Sequence, residues 1–145
     1  MRELEKIEVD ALVVGSGIAG LQSALDLADQ GYSVAVVEKN PSIGGKMISL
    51  SKVFPTLDCA SCITTPRMAS VSHHPRIKAL TYSTVDAIKR EGKTFTASVT
   101  RKPRYIDEKE CISCKRCEKA CEYDAIHVTN FLAEIDPAKC TLCEA

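Results

Sequence analysis

The sequence has 145 residues (15.8 kDa), 45% of them hydrophobic and 26% charged, the balance of a chain that buries a core rather than staying disordered. Nineteen Lys and Arg are matched by 19 Asp and Glu, so no net basic field exists to attract nucleic acid, and no apolar run approaches the roughly 18 residues of a membrane span. Residues 1–6 carry mixed charges without a signal peptide's apolar stretch, so a cytoplasmic protein is expected, and in that reducing setting eight cysteines point to metal or redox chemistry rather than to structural disulfides.

In chain order, residues 9–14 form a short apolar run broken by Asp10, followed by Gly15-Ser16-Gly17-Ile18-Ala19-Gly20. Leu21, Ala24, Leu25 and Ala28 then recur at helical spacing up to Gly31, and the β-branched run 33–37 ends in Glu38. This reads as strand, tight turn, helix, strand, with an acid 18 residues beyond Gly20, the context that gives a G-x-G-x-x-G motif its meaning. Gly15 turns the chain sharply off the strand, Gly17 admits a pyrophosphate to the backbone, and Gly20 lets the helix close on the sheet. The helix N-terminus offers free N–H groups to the phosphates. Glu38, with Lys39 adjoining it, is expected to accept hydrogen bonds from ribose hydroxyls. A second doublet, Gly44-Gly45, sits six residues after the acid and is followed by Lys46, a pattern similar to the FAD-binding domain of two-dinucleotide-binding flavoproteins. The similarity favours FAD over NAD.

Beyond the doublet, Thr64-Thr65-Pro66 reads as a helix start, residues 77–82 as a strand, and 85–90 with 94–100 as a hairpin around Glu91-Gly92-Lys93. Cys59-Ala60-Ser61-Cys62 lies between these signals. Three readings of that pair stay open: a redox dithiol facing the flavin, two ligands of a cluster, or two small hydrophobes. His73-His74 and His127 read as ordinary polar structure, and Lys89-Arg90, Arg101-Lys102 and Arg104 as solvated faces.

The composition shifts at Arg101-Lys102-Pro103-Arg104-Tyr105. Residues 1–105 hold 14 basic and 10 acidic side chains, residues 106–145 hold 5 and 9, and six of the eight cysteines follow residue 110. A first domain over 1–105 and a second over 106–145 are expected. Cys111, Cys114, Cys117 and Cys121 have the C-x2-C-x2-C-x3-C spacing of bacterial ferredoxins, with Glu122 in place of the usual Pro, and four cysteines in so short a span suit an iron–sulfur cube better than zinc. A strand over 125–129 and a partner over 133–135 lead to Cys140-Thr141-Leu142-Cys143, which is how the second half of a two-cluster ferredoxin begins. Two complete cubes need eight thiolates and this tail has six. One 4Fe–4S cluster with local ligands, or a second whose missing ligands come from another chain, is therefore expected, from a sequence that is truncated or split.

Together the glycine motif with Glu38, Pro41-Ser42-Ile43-Gly44-Gly45-Lys46-Met47, Phe54-Pro55-Thr56-Leu57-Asp58-Cys59-Ala60-Ser61-Cys62, Thr65-Pro66-Arg67-Met68, the joint at 101–105 and the ferredoxin run resemble the A-subunit family of heterodisulfide reductases, in an N-terminal part of it. The resemblance implies an α/β fold: a Rossmann-like FAD-binding front half with a βαβ unit and a β-meander, followed by a ferredoxin-like 4Fe–4S insert that is incomplete at the C-terminus. It implies one component of an oxidoreductase, passing electrons between FAD and 4Fe–4S clusters, by flavin-based electron bifurcation in the intact family. The partners it implies are the other subunits of a heterodisulfide-reductase-like complex and a ferredoxin or another redox protein. Two alternatives stand beside it: a non-catalytic or accessory electron carrier completed by a partner chain, and an FAD-dependent disulfide reductase using Cys59 and Cys62.

Overall fold

A computed structural model of the chain describes residues 5–107, 110–129 and 132–143. Its first part is built on three short parallel strands, β1 (Ala11–Val14), β2 (Val34–Val37) and β5 (Ile77–Leu80), in the order β1-β2-β5. Ala11 pairs with Val34 and Val34 with Ile77, so β2 is the central strand. All four of its residues are buried, as a parallel strand covered on both faces requires. Helix α1 (Ile18–Asp29) joins β1 to β2, and α2 (Ala60–His73) precedes β5.

The core explains this arrangement. Ala24 and Ala28 on α1 are small enough to bring the helix onto Val34 and Val36, with Ala11, Val13, Leu27 and Ile77 packed around them. A second cluster of Leu21, Ile43 and Val71 ties α1 to α2 and to the loop after β2. α1 stops at Asp29, and Gly31 takes the left-handed conformation (φ +100°) that ends helices at no steric cost. Between β2 and α2 lie a 3-10 turn (Gly45–Ser49) and two short strands, β3 (Lys52–Val53) and β4 (Asp58–Cys59), which pair antiparallel.

One expectation is corrected here. The helix read as starting at Thr64-Thr65-Pro66 begins at Ala60, and Pro66 lies inside it. A proline there has no N–H to donate and crowds the preceding turn. Side chains tend the carbonyls nearby instead: Thr64 Oγ1 donates to Ala60 O (2.9 Å) and Arg67 Nη1 to Ile63 O (2.9 Å). Burial of Ala60, Thr64 and Val71 on one face outweighs the local signal.

The remaining strands fall near their expected places. β6 (Ser83–Glu91) and β7 (Thr94–Arg101) form a hairpin with a bulge between Val85 and Ala87. The outer half of this ribbon is exposed, Ile88 and Phe95 included. The cysteine-rich part holds a short helix, α3 (Arg116–Ala120), which the sequence did not signal, and the hairpin β8 (Ile126–Thr129) with β9 (Leu132–Ile135), registered Ile126 to Ile135. Among the described residues no helix is long and apolar enough to cross a membrane.

Candidate functional site

The glycine turn between β1 and α1 is shaped as the sequence suggested. Gly15 has φ +95°, a conformation side chains rarely adopt. A Cβ on Gly20 would sit 2.0 Å from Gly15 O, so α1 can lie this close to the strand end only with glycine there. At Gly17, the residue capping α1, a Cβ would meet nothing within 4 Å. That space faces the N-terminus of a 12-residue helix whose first turn carries no acidic side chain, and the amides of Ile18, Ala19 and Gly20 have no acceptor within the helix. Together they make a cradle for an anionic diphosphate.

The second doublet closes on the first. Gly44 N donates to Ser16 O (2.9 Å), and a Cβ on Gly45 would lie 2.9 Å from Gly17 Cα. Gly44 is also walled in by Ile48 and Met68. Lys46 is exposed at the start of the 3-10 turn.

Glu38 is less free than its expected ribose-binding role suggests. It is 4% exposed, and its carboxylate accepts from Ser16 N (2.8 Å), Ser16 Oγ (2.7 Å) and Asn40 N (2.8 Å). Burial alone would raise its pKa. The three hydrogen bonds, with the charge of exposed Lys39, outweigh burial and hold it below the ordinary carboxylate range. A carboxylate has about four acceptor positions, so Glu38 keeps one beyond the three that brace the glycine turn and its following loop.

Cys59 caps α2 and Cys62 lies in its first turn; both are exposed, free thiols. The Cys62 thiol donates to the Cys59 sulfur, and the amides of Cys62 and Ser61 add to the effect. Cys59 is thereby held below the ordinary thiol range, and the same bond pushes Cys62 up. A helix N-terminus with one activated sulfur is the setting of reactive cysteine pairs.

The tail cysteines are arranged differently. Cys117, Cys121, Cys140 and Cys143 line one cavity of about 420 Å³, with Tyr123, Ile126, Ile135 and Leu142 among its walls. Ala125 N donates to Cys121 Sγ (3.4 Å). The amides of Ser113 and then Ala133 hold Cys111 below the ordinary thiol range. Cys111 and Cys114 do not line the cavity. Among the described residues no three His, Cys, Asp or Glu converge on a point where one metal ion would sit. A four-iron cube has no need of that, because each thiolate binds its own iron at a separate corner. A cysteine-lined, largely apolar cavity with the Ala125 amide aimed at one of its sulfurs fits such a cube.

The histidines follow the ordinary reading. His73 Nδ1 lies 2.8 Å from Ala69 O, His74 Nε2 3.4 Å from Asp29, and His127 Nδ1 3.9 Å from Asp124. Sequence reasoning missed Asn40, whose amide holds Glu38, and the amides of Ala125 and Ala133 at the sulfurs. Backbone donors have no sequence signature. It also missed Arg104, read as a solvated face, which is half-buried against Pro41 and Thr81.

Comparison with known proteins finds two families along the chain. The FAD binding domain family matches residues 10–51, and the 4Fe-4S binding domain family matches residues 104–127. The second of the iron-sulfur A-subunits of CoB--CoM heterodisulfide reductase in Methanopyrus kandleri is 49% identical over 125 residues, which cover 83% of this chain and 19% of that protein. The A-subunit of H(2):CoB-CoM heterodisulfide,ferredoxin reductase of Methanothermobacter marburgensis is 45% identical over 134 residues, 91% of this chain and 20% of that protein. The chain thus spans about a fifth of the relatives' length. In fold it is similar to L-proline dehydrogenase from P. horikoshii (TM-score 0.62, 24% identity, 70% of this chain and 20% of that one). It is also similar to T. acidophilum thioredoxin reductase (TM-score 0.54, 24% identity, 63% and 30%).

Proposed function

Since the chain belongs to the A-subunit family of heterodisulfide reductases, we propose that it works as an electron-transfer flavo-iron–sulfur protein, with an FAD-binding part over residues 1–105 and a 4Fe–4S part over 106–145. The observation that carries this is the presence of two cradles in one chain: helix amides opening on the space at Gly17, and a cavity walled by four cysteines. When bound, FAD supplies exchange between electron pairs and single electrons, and the clusters carry single electrons.

The residues divide the work. The amides of Ile18, Ala19 and Gly20 take the pyrophosphate, Gly17 lets it approach, and the Gly44-Gly45 turn braces that loop from behind. Glu38 orients the ribose with its remaining acceptor position. Cys121, Cys140 and Cys143, with Cys117 on the same wall, are the thiolates assigned to one cube. Cys111 and Cys114 lie outside that cavity, and a second cube there needs two further thiolates. The setting proposed is a cytoplasmic heterodisulfide-reductase-like complex with further subunits and a ferredoxin or other redox protein as electron partner. Flavin-based bifurcation is the activity proposed for that complex. Stepwise anaerobic reduction followed in the visible tests this: flavin and cluster absorbance both bleach, and cluster bleaching follows that of the flavin. Flavin bleaching with no cluster signal in protein assembled with its partners contradicts it.

The geometry of the pair at α2 favours a second reading, an FAD-dependent dithiol activity at Cys59 and Cys62. NAD(P)H-driven reduction of a disulfide by the chain, abolished in C59S, supports it. Identical rates in C59S remove it.

A further inference from the structure

The cysteine-rich part meets the first part at one edge of the parallel sheet. Ligands of open α/β sheets bind beyond the carboxyl ends of the strands, and the contact lies at that edge. β2 ends at Val37 and β5 at Leu80, and the loops that follow them carry Pro41 and Thr81. Arg104, just before the ferredoxin-like run, reaches both loops: its Nη2 donates to Pro41 O (2.8 Å) and to Thr81 Oγ1 (2.5 Å). The guanidinium lies 5.7 Å from the centre of the Tyr82 ring, and Lys102 Nζ lies 5.1 Å from the same ring.

Tyr82 is held firmly enough to serve as a platform. It has φ +55°, uncommon for an aromatic residue, and two backbone bonds of its own and one of its neighbour Ser83 fix it there. Tyr82 N donates to Asn40 O (2.9 Å), Lys102 N to Tyr82 O (2.9 Å) and Ser83 N to Glu38 O (2.8 Å). Pro41 sits between Asn40, whose amide holds the Glu38 carboxylate, and Gly44, whose amide holds Ser16. The loop gripped by Arg104 is thus the loop that links the ribose acid to the glycine turn. On the other side, Pro103, Tyr105 and Ile106 share a cleft with Leu132, Ala133, Glu134 and Ile135 of β9, with Pro41 and Tyr82 forming its far wall. Burial first, and then the negative charge of Glu134, push the Tyr82 phenol above its usual range, so β9 is within electrostatic reach of the platform.

We propose that Arg104, at the joint between the two parts, is a positioning residue that anchors the chain entering the iron–sulfur part to the nucleotide-bearing edge of the sheet, and so fixes the separation over which an electron passes between the flavin and the cluster. This rests on the FAD and cluster reading given above. The planar guanidinium suits the role, because its terminal Nη2 serves two acceptors while the group lies over the Tyr82 ring.

The test uses R104A, R104K and T81V in the holoprotein, prepared anaerobically with its partner subunits. Amide hydrogen exchange is read at Tyr82, Lys102 and residues 132–135, and internal electron transfer by flash reduction of the flavin. In R104A, exchange protection at these amides falls about tenfold or more, the shift expected from losing two hydrogen bonds of a charged donor. Electron transfer slows in the same variant, while flavin content, iron content and the midpoint potentials of both cofactors match the parent. R104K and T81V fall between parent and R104A in both readouts. Unchanged protection in R104A overturns the proposal, as does lost protection with an unchanged transfer rate. Loss of flavin from R104A also overturns it, by making Arg104 part of the nucleotide site. If R104A does not fold, T81V decides alone: reduced protection with slowed transfer supports the anchor, and parent-like behaviour overturns it. A parent protein without flavin or iron contradicts the function reading instead, and the exchange measurement still judges the anchor.

Discussion

Of the four C-x-x-C spacings in this chain (59/62, 111/114, 114/117 and 140/143), the first and the two that open the tail's cysteine groups have backbones of two kinds. In Cys59-Ala60-Ser61-Cys62 the intervening residues open helix α2, and the two thiols turn toward one another and share a hydrogen bond. In Cys111-Ile112-Ser113-Cys114 and Cys140-Thr141-Leu142-Cys143 the residue before the second cysteine is left-handed, Ser113 at φ +56° and Leu142 at φ +55°. The tail loops turn amides rather than thiols toward sulfur, as at Cys111, and Cys143 joins Cys117, Cys121 and Cys140 around a cavity. Equal spacing therefore does not mean equal chemistry. A helical turn favours thiol–thiol exchange, whereas a kinked loop separates thiolates and solvates each with backbone donors, which suits separate irons of one cube.

The largest effect that tests this contrast is loss of a cavity thiolate. Cys121→Ser weakens cluster binding by more than the roughly 10–100-fold that loss of a mere supporting partner costs, and iron and labile sulfide assays on anaerobic protein read the change. Retention of full iron would place the cube elsewhere.

The next effect separates the flavin from both cysteine sets. Gly20→Ala brings a Cβ to within 2.0 Å of a backbone oxygen and costs about 3 kcal/mol or more, seen as a lowered Tm. Gly17→Ala meets open space, so the fold survives, yet flavin affinity falls by about tenfold or more because a methyl occupies the diphosphate's approach. Iron content is expected to stay at the parent level in G17A; a joint loss would mean that the two parts do not load independently.

A smaller effect lies in the pH dependence of alkylation. Cys59 is held below the ordinary thiol value near 9.0, so its thiolate, and with it the iodoacetamide rate, rises at lower pH than for a free cysteine. Cys62, pushed up, reacts later. Cys62→Ala removes the donor and moves the Cys59 profile back toward the ordinary value. Coincident profiles for the two thiols would erase the distinction from the tail.

The smallest effects have opposite signs. Leu142→Gly relieves a left-handed conformation at an exposed position and stabilises the tail by about 1 kcal/mol. Ser61→Gly loosens the start of a helix and destabilises by about 0.5 kcal/mol. Denaturant melts of the apo chain compare them, and equal signs would mean that the two backbones do not differ as described.

The nucleotide cradle was legible in the sequence because each part of it leaves a compositional trace: glycines where a side chain would collide, alanines and leucines at helical spacing, and an acid closing the second strand. The ferredoxin run was legible because thiolate spacing is itself the signal. Helix α2 was misplaced because a proline is a strong local marker and the burial of Ala60, Thr64 and Val71 is a tertiary fact. The inward turn of Glu38 depends on the Ser16 and Asn40 amides, and the grip of Arg104 on residues 63 and 23 positions away. Contacts of that range have no periodicity to read. The difference between the cysteine pairs is invisible to spacing for the same reason, since it lies in the φ angle of single residues.

The most direct measurement counts flavin, iron and labile sulfide in anaerobically prepared holoprotein, for the parent and for the C59S/C62S double variant. The predicted result is bound flavin together with iron and sulfide in equal amounts, all unchanged by the double substitution. Zinc without sulfide in the parent, or iron lost with Cys59 and Cys62, would contradict it.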